Sequence, residues 1–457
     1  MRVHFIAVGG SVMHNLALAL HDKGYMVTGS DDEFFEPSKS RLEAAGILPN
    51  ETGWHAERIT ADLDAVILGM HAMEDNPELE RARELNLKIY SFPEYLYEQT
   101  ANKRRVVVGG SHGKTTTTAM IMHALRFAGL KFDYMVGAQL EGFDRMVGLS
   151  HDAEIAVFEG DEYLTSTLDR RSKFLHYKPN VAIITGVAWD HVNVFPTWEG
   201  YVDQFRKFAA SIVEYDSHSG SLIYCDTDEA ATEASHSAPA CANVIGYKGL
   251  HNETIGDRNI VILGDNRYEV GVFGRHNMQN MQAAMLACER VGVSNDTFMN
   301  SMKTFTGAAK RLQLINSNEK ASAYLDFAHS PSKLEATTKA VRERYPSRKI
   351  VAIMELHTFS SLQKNFLSHY KGTMDAADKA YVFFNPEVVE HKRMEMFSPH
   401  DVAVAFAHPD MDVFTESSKL VEAIKANSYD NSVLLIMTSG NLNGVDIKKL
   451  ATEVINK

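Results

Sequence analysis

The sequence predicts an α/β fold of three domains, each built around a largely parallel β-sheet. Short apolar runs of strand length recur along the 457-residue chain and alternate with helical patterns, which is typical of doubly wound sheets. Several runs end in Gly, Ser, Asp or Glu, and loops at the carboxyl ends of parallel strands bind ligands. Because domains span roughly 100–200 residues, we place them at residues 1–103, 104–305 and 306–457.

The first domain is predicted to be Rossmann-like. Its strands are expected at residues 3–8, 25–30 and 65–68. The three strands lead, in order, to Gly10-Ser11, to Ser30-Asp31 and to a segment containing His71. The G-x-G-x-x-G fingerprint of dinucleotide sites is absent, which argues against an NAD site. The Gly9-Gly10 turn nevertheless leaves an NAD-dependent oxidoreductase as one alternative for this domain. A nucleotide-sugar diphosphate could use the same turn at the start of a helix.

The most specific motif of the chain lies in the second domain. It consists of Gly110, Ser111, His112, Gly113, Lys114, Thr115 and Thr116, directly after an apolar run and directly before a helical pattern. Glycines let backbone N–H groups approach an anion, the helix N-terminus favours negative charge, and Lys114 adds a positive one. The motif predicts a phosphate loop that binds a nucleoside triphosphate.

A metal site is expected beside this loop. The hydroxyl of Thr115 can reach Mg²⁺, and Glu159 ends an apolar run where triphosphate enzymes carry a metal-binding carboxylate. His191 follows the run at 181–185 and is a candidate ligand for a second ion. Oxygen ligands and phosphate suit Mg²⁺, and Mn²⁺ would fit the same site.

Composition limits the remaining possibilities. The formal net charge of −13 argues against a nucleic-acid surface. No apolar stretch approaches the ~18 residues needed to cross a membrane. Cys225, Cys241 and Cys288 are widely spaced and odd in number, so we expect buried thiols in a reducing cytoplasm.

Four motifs together resemble the Mur ligase family of bacterial cell-wall enzymes. The phosphate loop resembles the family's G-T-x-G-K-T-[TS], which accounts for Val108 in place of glycine. The other three motifs are Glu159-Gly160-Asp161-Glu162, Gly274-Arg275-His276-Asn277-Met278-Gln279-Asn280 and Asp326-Phe327-Ala328-His329-Ser330-Pro331. They resemble E-A-D-E, G-x-H-N-x-x-N and D-[YF]-A-H-x-P, in the order of the family.

The resemblance implies an ATP-dependent amide ligase with a UDP-sugar-binding domain, a central ATPase domain and a Rossmann-like ligase domain. The carboxylate of UDP-N-acetylmuramate would become an acyl phosphate, which an amine then attacks. The implied catalytic residues are Lys114, Glu159, His191 and Arg311. Further implied ATP ligands are His276, Asn277, Asn280, Arg311, Asp326 and His329. The implied UDP-sugar ligands are Gly10, Ser11, Ser30, Asp31 and His71. Arg311 would come from the third domain, which implies domain closure before chemistry.

Two branches of the family are similar to this chain. One adds L-alanine, and the other adds the recycled tripeptide L-alanyl-γ-D-glutamyl-meso-diaminopimelate. The segments 159–163 and 169–177 resemble the tripeptide branch, whereas His357-Thr358-Phe359-Ser360 resembles the L-alanine branch. We favour the tripeptide; the residues of its pocket and the oligomeric state stay open.

Departures from the family pattern leave a third alternative. Gly186 and Ala188 replace an Asn and a Glu of the family, and Leu325 replaces an Asp. A nucleotide-binding relative with impaired catalysis would fit these changes.

Two groups of residues also have structural interpretations. His276 and Asn277 could merely cap a helix that begins at Met278. Arg170, Arg171 and Lys173 could meet an acidic substrate or form a solvated charge run.

Overall fold

The chain folds into two compact units. The structure, a computed structural model, describes residues 1–70, 72–190, 194–255, 258–308 and 310–457. One unit comprises Met1–Gly249 and Gln279–Met302, and the other comprises Leu250–Met278 and Lys303–Lys457. Within the described ranges, no helix is both long and apolar enough to cross a membrane.

The first unit begins with a four-stranded parallel sheet in the order β2-β1-β3-β4. Its strands are β1 (Arg2–Ile6), β2 (Met26–Ser30), β3 (Ala65–Leu68) and β4 (Ile89–Ser91). Its helices are α1 (Ser11–Asp22), α2 (Ser38–Ala44), α3 (Pro77–Glu84) and α4 (Phe92–Thr100). Strand β3 is buried along its whole length, as expected for a parallel strand covered on both faces.

A seven-stranded sheet forms the rest of this unit, in the order β11-β10-β9-β5-β8-β6-β7. Its strands are β5 (Arg104–Gly109), β6 (Phe132–Met135), β7 (Val147–Gly148), β8 (Ile155–Glu159), β9 (Val181–Ile184), β10 (Ser221–Cys225) and β11 (Asn243–Tyr247). The helices are α5 (Lys114–Phe127), α6 (Trp198–Ala210), α7 (Glu229–Ser235), α8 (Arg275–Arg290, shared with the second unit) and α9 (Asn295–Met302). Only the β6–β7 pairing among these strands is antiparallel.

The second unit contains two further sheets. The antiparallel sheet comprises β12 (His251–Ile255), β13 (Arg258–Leu263) and β14 (Asn266–Val270). The larger sheet has the order β15-β16-β20-β17-β18-β19, with β15 (Gln313–Ser317) antiparallel to its neighbour. Its other strands are β16 (Ala321–Asp326), β17 (Lys349–Leu356), β18 (Lys379–Phe384), β19 (Met411–Phe414) and β20 (Ser432–Met437). The helices are α10 (Pro331–Arg344), α11 (Pro386–His391), α12 (Pro399–Phe406), α13 (Ser417–Ala426) and α14 (Ile447–Ile455).

The predicted α/β class with largely parallel sheets is therefore confirmed, but two details differ from expectation. The antiparallel sheet was not predicted, although Gly264-Asp265 between an apolar run and an alternating polar and apolar segment is a hairpin signal. The prediction that all three cysteines are buried is wrong for Cys241, which is exposed. It lies in the turn before β11, where the Ala242 N–H donates to the Pro239 carbonyl.

A buried ion pair joins the residue before β5 to a residue of β6. The ammonium of Lys103 is 2.6 Å from the Asp133 carboxylate and 2.8 Å from the Ser150 carbonyl. The other Asp133 oxygen accepts hydrogen bonds from the Ser150 N–H and hydroxyl. Burial nonetheless raises the pKa of Asp133, because desolvation outweighs these partners.

We expect Lys103→Met to destabilise the protein by about 3–5 kcal/mol, because Asp133 would then be a buried carboxylate without its cation. Urea denaturation followed by circular dichroism measures this. The matched control is Lys131→Met, since Lys131 pairs with Asp152 on the surface and such pairs contribute at most about 1 kcal/mol. Equal losses for the two variants would contradict the prediction.

Candidate active site

The phosphate loop connects β5 to α5 and depends on two glycines. Gly110 and Gly113 have φ angles of +135° and +76°, conformations that side chains rarely tolerate. A Cβ atom on Gly113 would collide with the amide of Asn280, and one on Gly110 would collide with Thr185. The loop is therefore closely packed, and Gly113 leaves the N-terminus of α5 without a side-chain cap.

Lys114 is the first residue of α5 and points back across this loop. Its ammonium lies 2.6 Å from the Gly110 carbonyl and 2.7 Å from a carboxylate oxygen of Glu162. Burial opposes the positive charge, but Glu162 and Asp161 outweigh it and raise the pKa of Lys114. Lys114 is thus a charged lysine that is paired with a buried carboxylate beside the predicted phosphate loop.

A chain of hydrogen bonds extends from this ion pair. The Tyr201 hydroxyl donates to the second oxygen of Glu162 over 3.1 Å. The Tyr201 hydroxyl has one proton, which it donates to Glu162. The Ser111 hydroxyl is therefore the donor to Tyr201, over 2.7 Å. Ser111 in turn accepts the Ala188 N–H at 2.9 Å. Lys114 is therefore connected through buried side chains to the loop that follows β9.

The same contacts bear on the departures at residues 186 and 188. The Gly186 carbonyl accepts the Ser111 N–H at 2.9 Å, and the Ala188 N–H donates to the Ser111 side chain. Both contacts use the backbone, so they do not require the Asn and Glu side chains of the family pattern. Gly186 has a φ angle of +145°, which glycine adopts without strain.

Thr115 and Glu159 form the predicted metal site. The Thr115 hydroxyl lies 2.9 Å from one oxygen of Glu159, whose other oxygen accepts the Gly137 N–H at 2.8 Å. A hydroxyl and an oriented carboxylate beside a phosphate loop are hard oxygen ligands that suit Mg²⁺. His191, the third predicted metal ligand, lies outside the described residues.

The basic cluster after β8 is largely neutralised within the protein. Lys173 pairs with Asp161 at 2.7 Å, and Arg171 pairs with Asp169 and Glu94. Burial would raise the pKa of Asp161, but Lys173 and then Lys114 lower it to about 2. Of the three basic residues, only Arg170 has an exposed side chain without an ion pair among the described residues.

Asn280 and the residues of the second unit fall into separate groups. Asn280 belongs to the first unit and contacts the phosphate loop at Gly113.

Helix α8 begins at Arg275 rather than Met278, so the capping interpretation of His276 and Asn277 is wrong. Both residues lie in the first turn, where the Asn277 amide donates to the Phe273 carbonyl at 2.8 Å. Gly274 accepts the backbone N–H groups of that turn instead.

Asp326 organises the end of β16 in the second unit. Its two carboxylate oxygens accept the Leu312 and Ala328 N–H groups at 2.6 and 2.7 Å, which fixes the segment containing Arg311. Burial lowers the pKa of His276, and the nearby Asp326 charge opposes that shift.

Arg311 precedes β15 and His329 follows β16, so the two residues come from the segments on either side of this pair of strands. The Arg311 guanidinium stacks 4.6 Å from the ring of Phe327, and the His329 carbonyl accepts the Tyr370 hydroxyl at 2.5 Å. Leu325 is buried in the apolar core of the unit. The structure therefore brings Arg311, Asp326 and His329 together at one strand end.

The predicted UDP-sugar residues lie at the carboxyl edge of the first sheet. Ser11 begins α1, and the Gly9 N–H donates to Asp31 at 2.6 Å. The Ser30 carbonyl accepts the N–H groups of the turn after β1. Burial raises the pKa of Asp31 to about 6, with Asp32 adding to the shift and the Gly9 amide opposing it. His71 lies outside the described residues.

Sequence reasoning missed two residues of the phosphate-loop network. Glu162 is the last residue of the motif Glu159-Gly160-Asp161-Glu162, and this closeness to Glu159 was a signal that a second carboxylate belongs to the site. Tyr201 carried no such signal, because it lies 90 residues from Ser111 in the chain.

The chain matches three domains of one family in succession. The Mur ligase family catalytic domain matches residues 2–104, the Mur ligase middle domain matches 108–288, and the Mur ligase glutamate ligase domain matches 310–440.

The UDP-N-acetylmuramate–L-alanine ligase of Paenarthrobacter aurescens is 31% identical over 83% of this chain and 82% of that protein. The UDP-N-acetylmuramate–L-alanyl-γ-D-glutamyl-meso-2,6-diaminoheptandioate ligase of Haemophilus influenzae is 28% identical over 98% of both chains. A crystal structure of a murein peptide ligase from Psychrobacter arcticus has a TM-score of 0.65 and 23% identity, covering 100% of this chain and 99% of that one.

The chain therefore belongs to the Mur ligase family. It is an ATP-dependent ligase with the three-domain α/β fold of that family. The resemblance inferred from the four motifs is confirmed, and the oxidoreductase alternative for the first domain finds no support. The domain boundaries and the roles of individual site residues stay predictions.

The ion pair between Lys114 and Glu162 leads to a test. We expect Glu162→Gln to tighten the binding of an ATP analogue about three- to tenfold, because phosphates would no longer compete with a carboxylate for Lys114. Calorimetric titration with a non-hydrolysable analogue and Mg²⁺ measures this affinity. Glu199→Gln is the control, since Glu199 pairs with Arg206 on the exposed side of α6. Unchanged or weaker binding by Glu162→Gln would show that Glu162 does not compete with the nucleotide.

Proposed function

We propose that this protein joins the carboxylate of UDP-N-acetylmuramate to the amine of L-alanyl-γ-D-glutamyl-meso-diaminopimelate, which would serve peptidoglycan recycling. The observation that carries the proposal is the full-length similarity to the Haemophilus influenzae tripeptide ligase, at 98% coverage of both chains. The segments 159–163 and 169–177, which resemble the tripeptide branch, support it. ATP, the UDP-sugar and the tripeptide occur in the cytoplasm, where we propose that the protein acts.

The first chemical step would bring two anions together. The muramyl carboxylate attacks the γ-phosphorus of ATP, forming an acyl phosphate and releasing ADP. This step requires charge neutralisation and in-line positioning more than a general base. Lys114 would exchange Glu162 for the β- and γ-phosphates, and the N-terminus of α5 would accept the remaining negative charge.

Thr115 and Glu159 would hold Mg²⁺, with Mn²⁺ as a possible substitute. The ion supplies electrostatic stabilisation of the phosphate oxygens when bound. The Gly137 N–H holds the Glu159 carboxylate in the required orientation. His191 and Arg311 stay predicted ligands of a second ion and of the γ-phosphate.

In the second step, the amine attacks the acyl carbon and a tetrahedral intermediate expels phosphate. The amine must lose a proton during this attack. Glu162, released from Lys114 when phosphates bind, would be a carboxylate of the same site and is our candidate base for this proton. The peptide product and inorganic phosphate then leave.

L-Alanine is the second candidate amine. The 31% identity to the Paenarthrobacter aurescens L-alanine ligase favours it, as does the His357-Thr358-Phe359-Ser360 segment.

The deciding experiment measures phosphate release with ATP, Mg²⁺ and UDP-N-acetylmuramate, comparing the tripeptide with L-alanine. We expect turnover with the tripeptide, and loss of all but a few per cent of it in Lys114→Ala, because the phosphates lose their point charge. Turnover with L-alanine alone would replace the proposed substrate. ATP binding without phosphate release for either amine would identify a catalytically impaired relative.

The metal site has its own test. In Glu159→Gln we expect the Mg²⁺ concentration for half-maximal turnover to rise at least about tenfold, since a ligating carboxylate becomes a neutral amide. Initial rates across a Mg²⁺ titration measure the change. Glu154→Gln is the matched control, because Glu154 is exposed just before the opposite end of β8. An unchanged Mg²⁺ requirement in Glu159→Gln would remove Glu159 from the metal site.

A further inference from the structure

The predicted UDP-sugar site lacks a permanent positive charge. Its candidates are two small residues at the start of α1, Ser30, the acid Asp31 and a histidine. A diphosphate carries negative charge, and the whole chain is acidic at −13. A cation at this edge of the first sheet would therefore contribute strongly to binding.

Arg58 occupies that position. It lies in the segment before β3, and its guanidinium donates to the Ser30 hydroxyl at 2.9 Å and to the Glu51 carbonyl at 3.2 Å. Both acceptors are uncharged, and Arg58 forms no ion pair with any described residue. The guanidinium is half-buried rather than fully solvated. It keeps donors available for an anion, because a guanidinium has five N–H groups.

Buried polar side chains lie beside the hydroxyl that Arg58 contacts. Ser30 is fully buried, and so is the neighbouring carboxylate of Glu78. That carboxylate lies 3.2 Å from a ring nitrogen of His4 and accepts the His55 N–H at 2.8 Å. Burial would raise the pKa of Glu78, but these hydrogen bonds lower it below its usual value. Glu78 is thus a charged carboxylate held by His4 and the His55 N–H, close to the hydroxyl that Arg58 contacts.

The surroundings have space for a nucleotide. A cavity of about 640 Å³ lies between the segments 32–34 and 48–52, and its charged lining residues are Lys39, Asp32 and Glu33. Glu51, whose carbonyl holds Arg58, belongs to the second of these segments. The Ser30 backbone also hydrogen-bonds to Ala7 and Val8, in the turn that leads to α1. Arg58 therefore contacts Ser30 next to the glycine turn and Glu51 in a segment that borders the cavity.

We propose that Arg58 binds the diphosphate of the UDP-sugar and is a specificity-determining residue of the UDP-sugar site. This inference rests on the proposed function only for the identity of the UDP-sugar. Arginine binds phosphate oxygens through paired N–H groups, which a lysine cannot reproduce. The ion-paired cations of the first unit, such as Lys103 and Lys173, already have carboxylate partners.

Calorimetric titration of the full-length protein with UDP and with uridine tests the assignment. We expect Arg58→Ala to weaken UDP binding roughly 10- to 100-fold, the usual effect of losing hydrogen bonds to a charged group. Uridine affinity should change less than about threefold, because uridine has no phosphate. Arg58→Lys should recover part of the UDP affinity, since it keeps the charge but not the paired donors.

The matched control is Arg81→Ala, because Arg81 pairs with Glu84 on the exposed face of α3; its UDP affinity should equal that of the wild type. Unchanged UDP binding in Arg58→Ala, equal losses for UDP and uridine, or no UDP binding by the wild type would each overturn the inference. The proposed function is judged separately by phosphate release with the two amines. UDP binding that depends on Arg58 supports the inference even where no turnover occurs.

Discussion

The candidate active site depends on the position of β5 between β8 and β9 in a parallel sheet. Val108 lies opposite Glu159, and Gly109 lies opposite Ile184. Because parallel strands end at the same edge, this register brings together the phosphate loop, the Glu159 carboxylate and the loop at 186–188. A shift of one residue would turn the Glu159 side chain to the other face of the sheet.

Charge pairing is the second constraint on this acidic protein. Lys114 pairs with Glu162 and Lys103 with Asp133, and in each pair the carboxylate is buried. The two pairs differ in their surroundings. Lys103 also donates to the Ser150 carbonyl in the interior, whereas Lys114 donates to the Gly110 carbonyl of the predicted phosphate loop. Arg58 is different again, because hydroxyl and carbonyl acceptors hold it without neutralising it.

Local sequence patterns predicted much of the framework. The apolar run at 65–68 coincides with β3, and the glycine-rich motif lies between β5 and α5 as expected. The predictions that failed depended on more than local pattern. Helix α8 begins at Arg275, and the Gly274 carbonyl before it accepts the N–H groups of Asn277 and Met278. The exposure of Cys241 follows from the path of a surface turn. The antiparallel sheet had a hairpin signal but needed the pairing of β12 with β13 to be recognised.

The sequence by itself determined the α/β class, the phosphate loop with Lys114 and the carboxylate Glu159, because each follows from a short apolar run and its adjoining residues. Only the tertiary structure showed which distant side chains complete these sites. Tyr201 reaches Glu162 from α6, and Arg58 reaches Ser30 from the segment before β3. The physical reason is that hydrogen bonds depend on distances of about 3 Å, which the packing of helices on sheets decides and spacing along the chain does not.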